Sequence, residues 1–260
     1  MMPTLLAALH ILFVTTLVGS VVLVASALGV KERAGSIYER CAKLWARSLL
    51  KVSGVDVVIH GRERIAHGEP RIYVSNHVSW FDVFALASVL PRFRFVAKAE
   101  LSRIPLFGPA AGKAAAIYIE RANRKAAFDS YKAAVDEVRK GYAVCVYPEG
   151  TRGYSYSLRP FKKGPFVFAI AAGVPIVPVV TFGTIDIQPK GRARVRPGTV
   201  QLHFLEEVPT AGLQYEDRAQ LMITVWERMA AALRDLYGVE SHGGPLARDP
   251  EAEKIKTSFL

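Results

Sequence analysis

The stretch Ser75-Asn76-His77-Val78-Ser79-Trp80-Phe81-Asp82 holds an imidazole and a carboxylate between a β-branched run and a helical pattern. A carboxylate that accepts a hydrogen bond from one imidazole nitrogen fixes the tautomer and leaves the other nitrogen free to take a proton from an attacking hydroxyl. Five steps along an ideal helix turn the chain by about 500°, or about 140° off-face, so the two side chains meet only if His77 lies on the turn before the helix. The same letters support a second reading. Ser79 followed three residues later by Asp82 is a capping-box pattern, in which both side chains satisfy the helix N-terminus and His77 is a bystander. The residues alone leave both open.

A second segment, Val146-Tyr147-Pro148-Glu149-Gly150-Thr151-Arg152-Gly153, also follows a strand pattern. Its turn glycine exposes backbone N–H groups, Arg152 offers a bidentate fork for a phosphate, and Glu149 can hold that fork or another cation in place. Strand-end loops are where α/β sheets bind ligands; an ordinary Pro-Glu-Gly turn is the plainer alternative. Lys98, just past a strand, and Arg121, after Ile117-Tyr118-Ile119-Glu120, converge on the same anionic chemistry, although each alone also fits a solvated surface charge. The run from Gly173 to Val179 is apolar with prolines on each side of a short strand, and reads either as a core strand or as the lining of an acyl pocket. Cys41 and Cys145 follow no metal-ligand or CxxC spacing, so neither a structural zinc nor a disulfide framework is expected, and reduced thiols facing the cytoplasm fit best.

Around these segments, short β-branched runs alternate with helical patterns. Residues 55–60, 72–75, 93–97, 115–119, 143–147, 176–180 and 200–205 predict strands. Residues 81–90, 124–140, 164–172 and 216–237 predict helices, the last two closed by Gly173 and Gly238. The alternation predicts an α/β fold with a mostly parallel central sheet and flanking helices.

The first 30 residues contain no Asp, Glu, Lys or Arg, so every charge of the +11 balance lies beyond them. Residues 5–30 would extend about 39 Å as a helix, more than the roughly 30 Å of a bilayer's hydrocarbon core. A cleaved signal peptide is the competing reading, because Ala25-Ser26-Ala27 resembles a cleavage site, but no basic segment precedes the apolar run. Lys31, Arg33, Arg40, Lys43, Arg47 and Lys51 follow against only Glu32 and Glu39, which by the positive-inside bias places the body in the cytoplasm. His10 and Gly19 interrupt the apolar stretch. Residues 36–52 form an amphipathic pattern that suits either a headgroup interface or packing on the body. The pI near 9.7 permits nucleic acid, an anionic membrane or a phosphorylated small substrate as partner. Lys190, Arg192, Arg194 and Arg196 alternate as on an exposed basic edge strand; the apolar stem and the lack of interleaved aromatics argue against nucleic acid.

NHVSWFD, IYIER, YPEGTRG and VPIVPV, in this order, resemble the four blocks of the 1-acyl-sn-glycerol-3-phosphate acyltransferase family, the PlsC-like HxxxxD lysophospholipid acyltransferases. The similarity covers roughly residues 55–208 and extends to Lys98 and the FKKGPF segment around Lys163 and Gly164. Tyr147 and Tyr118 stand where Phe is common, and Gly153 where Ser is frequent. The resemblance implies an enzyme of phospholipid biosynthesis. His77, held by Asp82, would deprotonate the sn-2 hydroxyl of lysophosphatidic acid, which attacks the thioester of acyl-CoA or acyl carrier protein and gives phosphatidic acid. It implies no cofactor, no metal and no covalent enzyme intermediate. Lys98, Arg121 and Arg152 would hold the phosphate on the Gly150–Thr151 loop organised by Glu149, and the VPIVPV block and the anchor side would receive acyl chain. Residues 1–53 would then be a membrane anchor with an amphipathic helix, 54–240 the acyltransferase domain on the cytoplasmic face of the cell membrane, and 241–260 a polar tail. Membrane lipids, the lysolipid and the acyl donor are the expected partners. Other acceptors, such as a lyso-ornithine lipid or another lysophospholipid, fit the same blocks. A noncatalytic lipid-binding protein would not need both His77 and Asp82.

Overall fold

The computed structural model describes residues 2–65, 69–120 and 133–246. Seven strands form one sheet: β1 (Val55–His60), β2 (Ile72–Ser75), β3 (Phe93–Lys98), β4 (Ala116–Ile119), β5 (Ala143–Val146), β6 (Ile176–Phe182) and β7 (Gly198–Phe204). Their order is β1-β7-β6-β2-β5-β3-β4, and every pairing is parallel except β6 with β7. Central parallel strands are covered on both faces and read as continuous apolar runs rather than alternating ones. β2 and β5 are buried at every position. Ile72 and Val74 point into one core and Tyr73 into the other.

Each face carries its own helices. One core joins the sheet to α1 (Met2–Ala27), α2 (Ile37–Val52), α3 (Trp80–Val89) and α4 (Phe107–Ala114). The other joins it to α5 (helical residues 133–139), α6 (Gly164–Ala172) and α8 (Arg218–Tyr237), while the short α7 (Thr184–Ile187) follows β6. The predicted helix 124–140 is helical over the part that falls within the described residues.

The N-terminal pair packs against the body. Ala7, Val14, Val18, Val22 and Ala25 form the buried row of α1, while Leu5, Leu9, Leu12, Leu17 and Val24 form an exposed row on its outer side. Among the described residues α1 is the one helix long and apolar enough to cross a membrane. Gly19 is a contact point, because a Cβ there would sit 3.2 Å from Leu106 at the start of α4. The amphipathic helix α2 buries Tyr38, Cys41, Ala46 and Leu49 against the rest of the chain. Trp45 Nε1 donates to Thr15 Oγ1 at 2.8 Å, and the Trp45 ring meets Phe84 and Phe107, so one side chain joins α1, α2, α3 and α4. Arg94, buried on β3, bonds Glu32 of the α1–α2 link, Glu137 of α5 and the Lys113 carbonyl of α4. A buried cation with this many acceptors fixes the hairpin's position on the sheet.

Two expectations fail. Residues 190–196 are irregular rather than an edge strand, and the Val195 N–H donates to Thr4 Oγ1 of α1. The helix α4 was absent from the sequence reading, its pattern masked by Pro109, Gly108 and Gly112.

Candidate active site

β2 lies at the centre of the sheet, and the chain leaves it at Asn76 under restraint. Asn76 donates to the Thr181 carbonyl at 2.9 Å and accepts from the Thr181 N–H at 2.8 Å, locking the exit to β6. His77 therefore sits on the turn, two residues before the helix N-cap Ser79. Its Nδ1 is 2.8 Å from Asp82 Oδ2, and the same oxygen accepts the N–H groups of Val78 at 2.7 Å and Ser79 at 2.8 Å. A carboxylate only accepts, so Nδ1 carries the proton and Nε2 is left as the basic nitrogen. Capping and pairing coexist, because the one Asp82 oxygen both meets the His77 ring and caps the helix. Ser79 Oγ accepts from Phe81 N–H and donates to the Gln188 carbonyl at 2.7 Å.

β5 is the neighbour of β2, so its C-terminal loop meets the same turn. Glu149 Oε1 accepts the His77 N–H at 2.9 Å, and the Gly153 N–H donates to the His77 carbonyl at 2.7 Å. The main chain of the base is thus held from both sides. Burial pushes the Glu149 carboxyl up to about 8, against the opposing pull of backbone N–H groups from His77 and Arg159 and of the Arg159 charge. Tyr147 stacks on the His77 ring, 4.0 Å between centroids with planes 19° apart, and lies 6.2 Å from Phe95 on another side.

His77 lines a cavity of about 320 Å³. Its walls are apolar: Val18 and Val22 of α1, Trp45 of α2, Phe84 of α3, and Phe107 and Ala110 of α4. At the C-terminal ends of β2, β3 and β5, which parallel pairing brings to one edge, its lining includes His77, Lys98, Thr151 and Arg152. The Arg152 guanidinium stands 5.0 Å from the Trp80 ring centre. The arrangement is an oriented imidazole and two cations beside an apolar cavity.

The family model described as Acyltransferase matches residues 56–181, which include all of this edge. A chloroplastic 1-acyl-sn-glycerol-3-phosphate acyltransferase of Brassica napus is 37% identical over 152 residues, 58% of this chain and 44% of that protein. The bovine 1-acyl-sn-glycerol-3-phosphate acyltransferase alpha is 33% identical over 199 residues, covering 76% of this chain and 69% of that one. The chain belongs to the 1-acyl-sn-glycerol-3-phosphate acyltransferase family. The crystal structure of PlsC, the 1-acyl-sn-glycerophosphate acyltransferase of Thermotoga maritima, superposes with a TM-score of 0.74 at 27% identity, over 92% of this chain and 98% of that one.

In this member of the family the structure gathers His77, Asp82, Lys98, Gly150, Thr151 and Arg152 at one edge. Glu149 is close in space but plays a different part. It is buried behind the base and bonds main chain, not the Arg152 fork, so it shapes the site without lining the cavity. Arg121 lies outside the described residues. The VPIVPV block runs into β6, and its Ile176, Val177 and Val179 are wholly buried core; among the described residues the apolar cavity is walled instead by α1–α4 and β3. Three contributors escaped the sequence reading: Asn76 as the lock on the turn, Trp80 as the seat of Arg152, and Tyr147 as the ring beneath the base. Only Tyr147 left a trace there, as a departure from the commoner Phe.

Proposed function

We propose that this chain transfers a fatty acyl group from acyl-CoA or acyl carrier protein to the sn-2 hydroxyl of 1-acyl-sn-glycerol 3-phosphate, forming phosphatidic acid. The observation that carries the reading is the oriented His77–Asp82 pair at the head of an apolar cavity. His77 Nε2 takes the proton of the acceptor hydroxyl as its oxygen attacks the thioester carbon, and Asp82 stabilises the imidazolium that forms. The collapsing intermediate expels the thiolate, which recovers that proton. Lys98 and Arg152, at the same edge, hold the acceptor phosphate, with Arg121 as a further candidate. The apolar cavity receives acyl chain, and nothing in the chemistry calls for a metal or cofactor.

The outer row of α1 faces lipid in this reading. Thr4, near the start of α1, accepts from the Val195 N–H at 3.1 Å, which sets the exposed Arg192, Arg194 and Arg196 beside the apolar face. Cations flanking an apolar helix suit anionic headgroups. Residues 1–53 thus form the membrane-contacting unit of a body spanning 54–240, with that body on the cytoplasmic side.

The test is a panel of acceptors with the purified protein in vesicles and labelled oleoyl-CoA or oleoyl carrier protein. Lysophosphatidic acid, a lyso-ornithine lipid, lysophosphatidylethanolamine and monoacylglycerol are offered in turn. The expected result is labelled phosphatidic acid as the dominant product. Transfer to another lysolipid in preference to lysophosphatidic acid would overturn the acceptor assignment.

A further inference from the structure

Trp80 is a large ring left 39% exposed in a turn whose flanking residues Ser79, Phe81 and Asp82 are buried. It opens α3, and the turn beneath it is fixed by the Ser79 hydroxyl on the Gln188 carbonyl and by the Asp82 carboxylate on the Val78 and Ser79 N–H groups. Trp80 lines the reaction cavity, and the Arg152 guanidinium lies over its ring, 5.0 Å from the centre. The two segments that carry these residues are joined by the Gly153 N–H, which donates to the His77 carbonyl at 2.7 Å.

How Arg152 is held decides what it can bind. Glu149, the acidic residue of its own loop, is turned to the His77 and Arg159 N–H groups. Among the described residues no carboxylate pairs with the guanidinium. A carboxylate partner would neutralise the charge and occupy the N–H donors. A ring face attracts the cation and leaves both for a ligand. It also removes in advance part of the rotamer freedom that a long side chain gives up on binding. Burial draws the guanidinium below its ordinary value, against the opposing pull of Asp82 and Tyr154, and a partly desolvated cation is where a ring counts for most. We propose that Trp80 makes the site selective for a phosphate-bearing acceptor, by holding the Arg152 guanidinium, charged and with its donors unspent, at a fixed place beside His77.

This rests on the phosphate role given to Arg152 above and deepens it. The base and the ring belong to one locked turn, so the cation stands at a constant reach from His77. An acceptor fits when its phosphate meets Arg152 while its free hydroxyl meets His77 Nε2, so headgroup charge and the span from phosphate to hydroxyl are read together. Trp80 touches no reacting atom. It is a positioning residue that acts through Arg152, and its loss should appear in the acceptor KM and vanish once Arg152 is gone. An exposed tryptophan beside an apolar helix also suits a lipid surface, but that use would not depend on Arg152.

The experiment is a double-mutant cycle on the full chain in vesicles, with oleoyl-CoA and lysophosphatidic acid: wild type, Trp80→Leu, Arg152→Gln and the two together, with Trp80→Tyr beside them. Trp80→Leu is expected to lower kcat/KM by about threefold to thirtyfold, the range of one ring–cation contact, through a raised acceptor KM with kcat near the wild-type value. Trp80→Tyr keeps a ring and should retain most of the activity. In the Arg152→Gln background Trp80→Leu should add less than about twofold. Should Trp80→Leu not fold, tetrafluorotryptophan placed at position 80 keeps the shape, cancels the negative face of the ring, and should raise KM in the same way. A wild-type KM in Trp80→Leu, with Arg152→Gln impaired, would overturn the proposal alone. The same fold-loss in both backgrounds would make Trp80 a lipid contact, and a fall in kcat at constant KM would make it a support of the base; either would overturn it. Wild-type kinetics in Arg152→Gln would instead remove the phosphate reading on which it rests.

Discussion

Asp82 Oδ2 receives three donors, one from the His77 ring and two from the main chain of Val78 and Ser79. Its variants should therefore separate chemistry from folding. His77→Ala removes the base and is expected to cut kcat by about 10²- to 10⁴-fold with little change in melting temperature. Asp82→Ala should do both kinds of harm, since it also leaves buried N–H groups without an acceptor, at about 1–3 kcal/mol each. Activity and thermal melts measured on the two variants side by side check this; an Asp82→Ala protein as stable as His77→Ala would refute the shared-oxygen account. Arg152 belongs to the same scale. Its guanidinium is partly desolvated over Trp80, which suits a planar fork better than an ammonium. Arg152→Lys should cost about 1.5–3 kcal/mol in kcat/KM for lysophosphatidic acid and little for monoacylglycerol. An unchanged ratio of the two acceptors would return the phosphate to Lys98. At this scale the sequence was legible where spacing encodes geometry, as between His77 and Asp82. It was opaque where a role depends on which strand lies next door: only the β2–β5 pairing reveals that Glu149 grips the His77 backbone.

At the level of elements, the loop after β5 and the turn after β2 form one unit, and its stability should depend on pH through Glu149. The Glu149 carboxyl is held up to about 8 in the fold against an ordinary value of 4.5. Between those values the folded chain binds more protons than the unfolded one, so stability falls as pH rises and levels off above the folded value. The slope from this group is at most about 1.4 kcal/mol per pH unit. Glu149→Gln can still accept the His77 N–H and should flatten the profile; melting temperatures of both proteins from pH 5 to 9 test it, and parallel profiles would refute the assignment. A second prediction concerns α4. A Cβ on Gly108 would lie 2.1 Å from the Ser102 carbonyl, so Gly108→Ala must displace the helix that walls the cavity. Acyl-donor KM should rise and the melting temperature drop. The strands were readable because β-branched runs end at clear punctuation. α4 was not, because Gly108 and Gly112 serve close approaches to Ser102 and Tyr118, and Ala110 to Gly19 of α1, while hiding its period. The alternation of Lys190 to Arg196 looked like a strand, yet the segment joins no strand of the sheet and gives its Val195 N–H to Thr4 of α1.

Across the whole molecule, α1 is a structural wall as well as an apolar surface. Removing residues 1–30 would strip Val14, Val18 and Val22 from the core, so the shortened protein is expected to melt early rather than become a soluble enzyme. Membrane affinity is better probed with Arg192, Arg194 and Arg196 changed together to Gln. At about 1 kcal/mol per cation near an anionic surface, binding to phosphatidylglycerol vesicles should weaken by roughly a hundredfold, with no loss on phosphatidylcholine. Equal loss on both lipids would show that the three cations do not read headgroup charge. The two rows of α1 carry a last consequence. One row touches the space where the reaction occurs and the other is turned outward, with a single helix's thickness between them. In the membrane reading proposed above, lipid pressing on the outer row would reach the cavity through one helix, so turnover is expected to vary with how tightly the bilayer is packed.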